Sequence, residues 1–444
     1  MFGTSGIRGQ FGSDVTSDLA LSVGRAVASA GYDRVVVGRD TRETGTILRD
    51  AIVAGLRECG TDVVWVGVAA TPTVARAIET HDADAGVVIT ASHNPAPDNG
   101  IKLWNPSGQA FDTAQREEIT RRVEEDDVEL VDWEGIGSYE EAAGATGAHA
   151  ETLRGVADVV SDLSVVVDVG NGAGAVTADV LHDLGCDVET LNGQPDGRFP
   201  GRPSEPTAEN CEALTQLVAA SDADLGIAHD GDADRMMAVT GDGEFVAGDV
   251  LLALFARDAA GEGERVAAPL NTSLAVDDAL AEVGATVTHT PVGDVYVAEA
   301  ATADDVPFGG EPSGAWIWSD QTLCPDGPMA AVTLVELVSR RGSLSDLVAE
   351  IETYPIRRDS VETDDKAGVM AQVEDALRER YDEVDDLDGV RVDTGDGWFL
   401  VRPSGTQPLV RITAEARSDE RADELFSDAK ALVEAQAGHA VADD

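Results

Sequence analysis

Leu56-Arg57-Glu58-Cys59-Gly60-Thr61-Asp62-Val63 is the stretch whose reading decides the fold, because it recurs. It returns as Leu181-His182-Asp183-Leu184-Gly185-Cys186-Asp187-Val188 and as Leu280-Ala281-Glu282-Val283-Gly284-Ala285-Thr286-Val287. The shared pattern is L-x-x-x-G-x-x-V: a helix stopped by glycine in a left-handed position and followed at once by a buried strand. Upstream of each copy lies another β-like run, Arg34 to Val37, Ser164 to Val169 and Arg265 to Ala268. Strand, helix, strand is a right-handed crossover, and the nearly continuous apolar character of these runs suits a parallel sheet covered on both faces.

A second echo supports the repeat. Asp82-Ala83-Asp84-Ala85-Gly86 precedes a strand at Val87 to Ile89, and Asp222-Ala223-Asp224-Leu225-Gly226 precedes one at Ile227-Ala228. Both strands run into polar loops. The reading is three repeated α/β domains with mixed, mostly parallel sheets, at residues 1–150, 151–250 and 251–355. The remainder, 356–444, differs. Asp359 to Asp364, Val390 to Asp393, Trp398 to Arg402 and the alternating Leu409 to Glu415 read as strands. A closing helix is capped by Ser418, carries Asp419 and Glu420 at its positive end, and presents Leu425, Ala429, Leu432 and Val433 on one face. A smaller C-terminal α+β domain is expected there. At 444 residues the chain is in any case too long for one hydrophobic core.

Charge narrows the partners. Thirty-one basic residues stand against 84 acidic ones, a net charge of −53, and lysine occurs only at Lys102, Lys366 and Lys430. A nucleic-acid partner is disfavoured, since phosphate contacts need a basic surface. The excess is spread along the chain, which fits adaptation to a halophilic, high-salt cytoplasm where screening tolerates self-repulsion. Cys59, Cys186, Cys211 and Cys324 form no C-x-x-C pair, so reduced, mostly buried thiols are expected. No apolar run approaches a membrane span and no signal peptide opens the sequence, so the expectation is a cytoplasmic protein with no membrane partner.

Five segments could carry chemistry. Asp230 to Arg235, DGDADR, alternates three carboxylates along what reads as an extended loop after a buried strand. Oxygen-only ligands select a hard cation; Arg235 and Gly241 stand where an EF-hand needs glycine and glutamate, so magnesium fits better than calcium. An acidic surface loop is the bland alternative. Thr90 to Pro95, TASHNP, holds Ser92 beyond another buried strand. It lacks a G-x-S-x-G elbow, and the ring of His93, the next residue, is not expected to reach the Ser92 hydroxyl. A capped turn would read much the same. Arg402 to Pro408, RPSGTQP, with Arg411 beyond it, combines guanidinium groups, the Ser404 and Thr406 hydroxyls and a Gly405 turn, a set suited to an anionic oxygen cluster. Gly309 to Gly314, GGEPSG, offers Glu311 and Ser313 to vicinal hydroxyls, and Gly3 to Gly9, GTSGIRG, carries Arg8.

In this order, together with Asn99 to Lys102 (NGIK), these segments resemble the α-D-phosphohexomutase superfamily, which includes phosphoglucomutase, phosphomannomutase and phosphoglucosamine mutase. The resemblance spans the whole chain. It implies four domains around a central cleft, each contributing one loop. Ser92 would be the phosphoserine and, with Asp230, Asp232 and Asp234, would hold one Mg²⁺ through a phosphate oxygen. Glu311 and Ser313 would hold sugar hydroxyls. Arg402, Ser404, Gly405, Thr406 and Arg411 would clamp the non-reacting phosphate. Arg8, His93, Lys102 and Arg235 would line the reaction centre, with Lys102 a candidate acid/base if cationic neighbours depress its pKa.

The implied activity interconverts hexose 1- and 6-phosphates through a bisphosphate, which also serves as activator, in a monomer or homodimer. Phosphoglucosamine is favoured as substrate, with mannose or glucose phosphates next; a metal-dependent sugar phosphatase and a non-catalytic sugar-phosphate sensor are more distant alternatives. Two departures fall in the third domain. Ala315 stands where many members carry histidine, and Val295 where many carry a basic residue.

Overall fold

The computed structural model describes residues 1–3, 6–157, 162–404 and 408–440. Its strands form four sheets. The first contains β1 (Ile7–Gln10), β2 (Arg34–Arg39), β3 (Asp62–Val68), β4 (Ala85–Ile89), β5 (Asp98–Trp104) and β6 (Tyr139–Glu141), in the order β1-β5-β4-β2-β3-β6. The second contains β7 (Ser164–Asp168), β8 (Asp187–Leu191), β9 (Leu225–His229) and β10 (Met236–Thr240), ordered β10-β9-β7-β8. The third contains β11 (Arg265–Pro269), β12 (Thr286–Thr290), β13 (Phe308–Gly310) and β14 (Trp316–Trp318), ordered β12-β11-β13-β14.

The three sheets share one plan. In each of the quartets β2–β5, β7–β10 and β11–β14, the first strand lies between two parallel partners, and the last returns antiparallel beside the third; β1 and β6 extend the first sheet at its edges. The repeated octapeptides occupy the same place in every copy. Each ends a helix and starts the second strand, with Gly60 at φ +96°, Gly185 at +99° and Gly284 at +76°. That left-handed backbone is the conformation for which glycine carries no Cβ penalty.

The fourth sheet is antiparallel throughout: β15 (Ile356–Glu362), β16 (Val390–Asp393), β17 (Gly397–Pro403) and β18 (Leu409–Ala416), ordered β15-β18-β17-β16. The helices Lys366–Arg380 and Asp419–Ala440 cover one face, packing Val369, Val373, Leu425, Ala429 and Val433 on Phe399, Val401, Val410 and Ile412. Leu432 is only partly buried there. The other face turns toward the third sheet. Trp398 and Leu400 pack on Leu270 and Leu274, and buried Glu415 accepts from Ser273 Oγ at 2.6 Å, Leu274 N at 2.8 Å and Trp398 Nε1 at 2.8 Å.

The second and third sheets share one hydrophobic core, bridged by the helices Ala145–Val156 and Gly327–Arg341. All four cysteines are free, three of them buried. No described helix is long and apolar enough to cross a membrane.

Candidate active site

The shared sheet plan gathers the chemistry. TASHNP joins β4 to β5, DGDADR joins β9 to β10, and Glu311 to Ala315 joins β13 to β14. All three are the same turn, from the third strand of a repeated quartet to its antiparallel partner. Arg402 and Ser404 stand at the corresponding β17–β18 connection of the fourth sheet; Gly405 and Thr406 lie outside the described residues.

Ser92 is 1% exposed, with φ +50°, a left-handed conformation uncommon for a non-glycine residue. Its Oγ donates to Asp230 Oδ2 at 2.6 Å and lies 3.3 Å from Asp234 Oδ1. The two loops touch closely: a Cβ on Gly231 would come within 2.8 Å of the Ser92 carbonyl oxygen. The His93 ring does come near the hydroxyl, with Nδ1 3.4 Å from Ser92 Oγ. The expectation that the ring of the next residue does not readily reach the hydroxyl is not met. Burial, and then Arg235, Arg8 and Lys102, push the His93 imidazole down to about 2, so it is neutral.

The carboxylates of Asp230, Asp232 and Asp234 offer oxygens all within 4.8 Å of one another. The loop that carries them is turned, not extended: Ala233 takes φ +54° and folds the alternating residues toward one point. Burial, with Asp234 and Asp232 beside it, drives the Asp230 carboxyl well above the usual range. For Asp232 burial acts in the same direction, but Lys102 and the Thr71 hydroxyl outweigh it and hold that carboxyl low. One oxygen, Asp232 Oδ1, is buried without a hydrogen-bond partner. An all-oxygen set with an unpartnered acceptor fits a hard divalent cation.

Lys102, on β5, is buried and donates to Asp232 Oδ2 at 2.9 Å and to Asp234 Oδ2 at 2.5 Å. Burial pulls its pKa down, but these two carboxylates outweigh both burial and Arg8, leaving it above the ordinary lysine value. The condition set for an acid/base role, depression by cationic neighbours, is not met in this structure, and Lys102 carries its proton. Arg8, on β1 opposite Gly100 of β5, has its Nε buried without a partner. Arg235 lies between loops: its N donates to Asp230 Oδ1 at 3.2 Å, its Nη1 approaches Glu205 at 3.5 Å, and its backbone bridges Ala315.

Glu311 is 8% exposed and accepts from Gly293 N at 2.8 Å and Ser313 Oγ at 3.2 Å. Burial, then Asp294, raises its carboxyl to about 7, partly offset by Arg235. Arg402 pairs with Asp388 at 3.1 Å, and that carboxylate also accepts from Val292 N at 3.2 Å, tying the fourth sheet to the third domain's loop. Ser404 is buried, and its carbonyl receives Lys366 Nζ at 2.5 Å. Arg411, on β18, faces Arg402 across the ladder and is exposed.

Three supports escaped the sequence reading. Arg42, fully buried, gathers the catalytic turn by donating to the carbonyls of Ser92 (2.8 Å), Asn94 (2.6 Å), Pro95 (2.7 Å) and Asp98 (2.8 Å) while paired with Asp40 at 2.9 Å. Thr71, at the N-terminus of the helix Thr71–Thr80, donates its hydroxyl to Asp232 Oδ2 at 2.6 Å and its amide to the Asp232 carbonyl at 2.8 Å. Ser204 Oγ donates to the Ser92 carbonyl at 2.9 Å. The available signal was Arg42 itself, an arginine two residues past an aspartate at the end of a buried strand in a base-poor chain.

Four profiles of "Phosphoglucomutase/phosphomannomutase" match in chain order: alpha/beta/alpha domain I at residues 1–129, domain II at 148–243, domain III at 247–354, and the C-terminal domain at 360–432. The chain belongs to the phosphoglucomutase/phosphomannomutase family. As a member of it, the protein is an intramolecular phosphotransferase. It is 48% identical to the probable phosphoglucosamine mutase of Methanopyrus kandleri over 96% of this chain and 95% of that one. It is 49% identical to the protein of the same description from Methanococcoides burtonii, over 98% of each. Among solved structures, a phosphoglucomutase/phosphomannomutase family protein from Burkholderia thailandensis matches with a TM-score of 0.88 at 29% identity, covering 98% of this chain and 99% of that one. A putative phosphomannomutase from Thermus thermophilus matches with a TM-score of 0.80 at 27% identity, covering 98% and 99%.

Proposed function

We propose that this phosphohexomutase interconverts glucosamine 1-phosphate and glucosamine 6-phosphate, with Ser92 as the phosphate carrier. The observation that carries the chemistry is the 2.6 Å contact from Ser92 Oγ to Asp230, inside a buried cluster shared with Asp234 and Lys102. The sugar is inferred from the two relatives described as probable phosphoglucosamine mutases, each similar to this chain over nearly its full length. The four domains are taken to divide near residues 150, 250 and 355.

In the resting state Ser92 carries a phosphoryl group. The Oγ–P bond breaks as a P–O bond forms to the free hydroxyl of a bound hexose monophosphate, and the proton which that hydroxyl loses ends on Ser92 Oγ, freed as the alcohol that donates to Asp230. The resulting bisphosphate turns over in the cleft, and its other phosphoryl group returns to Ser92 Oγ. Asp230, Asp232 and Asp234 would hold Mg²⁺, which when bound supplies charge stabilisation to the transferring phosphoryl group. Lys102, Arg8 and Arg235 bring further positive charge to the same point, in a setting already organised before substrate arrives. His93, uncharged, lines the site without adding to that charge. Glu311 and Ser313 orient the sugar. Arg402, Ser404 and Arg411, joined by Gly405 and Thr406, hold whichever phosphate is not reacting, so either end of the sugar can be presented.

The test is a coupled assay in molar salt with Mg²⁺ and a catalytic amount of sugar bisphosphate, comparing the 1-phosphates of glucosamine, glucose and mannose. Glucosamine 1-phosphate should lead by about tenfold or more in kcat/KM. A tenfold lead for either of the others would move the enzyme to a different branch of the family. Phosphate release without 6-phosphate would make it a phosphatase.

Glu311 adds a pH signature. With its carboxyl raised to about 7, the fraction able to accept sugar hydroxyls grows as pH rises from 6 to 8. KM should fall across that window, and Glu311→Gln should flatten the fall. Substrate phosphate titrates near about 6 in both proteins, so the difference between the two profiles isolates the carboxylate.

A further inference from the structure

Few arginines in this chain lack a partner. With 84 acidic residues against 31 basic ones, a guanidinium almost always finds a carboxylate or carbonyl. Among the described residues only Arg8, Arg358 and Arg411 make neither an ion pair nor a side-chain hydrogen bond. Arg8 and Arg411 already have roles in the reading above. Arg358 has none.

Register places Arg358 beside them. On β15, Arg357, Asp359 and Val361 point to the helix-covered face: Arg357 pairs with Asp419 and Asp423, Asp359 with Lys430, and Val361 packs into the domain's core. Side chains alternate along a strand, so Arg358 and Ser360 point to the opposite face. Ser360 pairs with Arg411, and Arg411 with Arg402, making one row across the sheet; Arg358 pairs with Thr413 in the next row, beside Leu400. The row after that, with Glu415 and Trp398, is docked on the third domain. Arg358 is thus a diagonal neighbour of Arg411, at roughly 7–8 Å between strands, close enough for two long guanidinium side chains to meet one ion.

Its other neighbourhood is the sugar loop. Arg358 is the basic side chain that acts on Asp249, the second residue of the helix Gly248–Ala259, and a Cβ on Gly248 would strike the Pro312 carbonyl. Arg358 therefore lies on the face of the fourth sheet that turns toward the third domain, whose helix Gly248–Ala259 begins against Pro312 of the sugar loop. Glu362, farther along the same face, pairs with neither arginine. Two exposed like charges on one face repel, in a protein whose overall field repels anionic substrates as well. An anion supplied from solution would relieve both.

We propose that Arg358 is a substrate-binding residue, a third guanidinium of the fourth-domain face that engages the non-reacting phosphate together with Arg402 and Arg411. The inference rests on the phosphohexomutase reading of that face.

Arg358→Gln and Arg411→Gln test it, each assayed for hexose 1-phosphate turnover and for competitive inhibition by inorganic phosphate. Arg358→Gln should raise KM and the phosphate inhibition constant about three- to tenfold, with kcat within about twofold and an unchanged melting temperature, and Arg358→Lys should restore part of the loss. If Arg411→Gln weakens both constants while Arg358→Gln leaves them unchanged, the proposal is overturned and the clamp stands. If neither variant changes either constant, the phosphate role of the whole face is overturned. A fall in melting temperature with KM unchanged would make Arg358 structural, and would also refute the proposal.

Discussion

Ser92→Ala should abolish mutase turnover, by roughly four to six orders of magnitude, while leaving sugar-phosphate affinity within about threefold. The asymmetry follows from where the hydroxyl points. Ser92 Oγ faces the Asp230–Asp234 cluster, whereas the residues read as the phosphate clamp and the sugar contacts sit on other loops. Removing one oxygen takes away the carrier and little else, because the turn is held through backbone atoms: the Ser92 carbonyl receives Arg42 and Ser204, and the Ser92 amide donates to the Thr90 hydroxyl at 2.8 Å. Alanine preserves all three. Turnover is read from 6-phosphate formation, phosphate release by a molybdate assay, and affinity by calorimetry. Turnover above about 1% of wild type would mean that the phosphoryl group passes through another atom. Retained phosphate release with lost isomerisation would mean that water attacks the sugar phosphate directly, without passing the group through Ser92.

The fold was legible where its physics is local. Gly60, Gly185 and Gly284 announce helix ends because left-handed backbone favours glycine, and apolar runs such as Val35 to Val37 announce buried strands by composition alone. The two polar loops after Ile89 and Ala228 could be matched to each other for the same reason. The third equivalent loop, at Glu311, was found as a segment but not as the same turn, since β13 is only three residues long and gives no strand signal. Contacts between distant segments were not legible. That His93 comes within 3.4 Å of Ser92 Oγ is set by a tertiary turn, and that Lys102 is held charged depends on carboxylates about 130 positions away. Arg42 is the clearest case: its four carbonyl partners belong to a turn whose shape no pattern in the sequence specifies.

Arg42 therefore carries the second large effect. Its side chain is fully buried, bound to Asp40 on one side, to four carbonyls on the other, and lies 4.9 Å from the Phe199 ring centroid. Arg42→Met keeps much of the volume but takes the cation from a buried carboxylate and the guanidinium donors from four carbonyls, leaving Asp40 only the residue-42 amide and the Thr90 hydroxyl and the Ser92 carbonyl only Ser204, which should cost about 3–5 kcal/mol. The first unfolding transition in urea should move to lower concentration, by that free energy divided by the slope of the transition. Activity should fall at least about a hundredfold even where the protein is fully folded, because the left-handed conformation at Ser92 loses the bonds that hold it. Burial already pushes Asp40 above the usual carboxylate range against the pull of Arg42, so the stranded charge accounts for much of the stability loss. Asp40→Asn combined with Arg42→Met removes that charge and should recover a large part of the stability without recovering activity. Recovery of both would mean that Arg42 serves only to neutralise Asp40. Full activity in the single variant would mean that the turn holds its shape unaided. The separation expected is between a charge that can be deleted in pairs and a geometry that cannot, since no side chain other than arginine presents five donors in one plane to four carbonyls and a carboxylate.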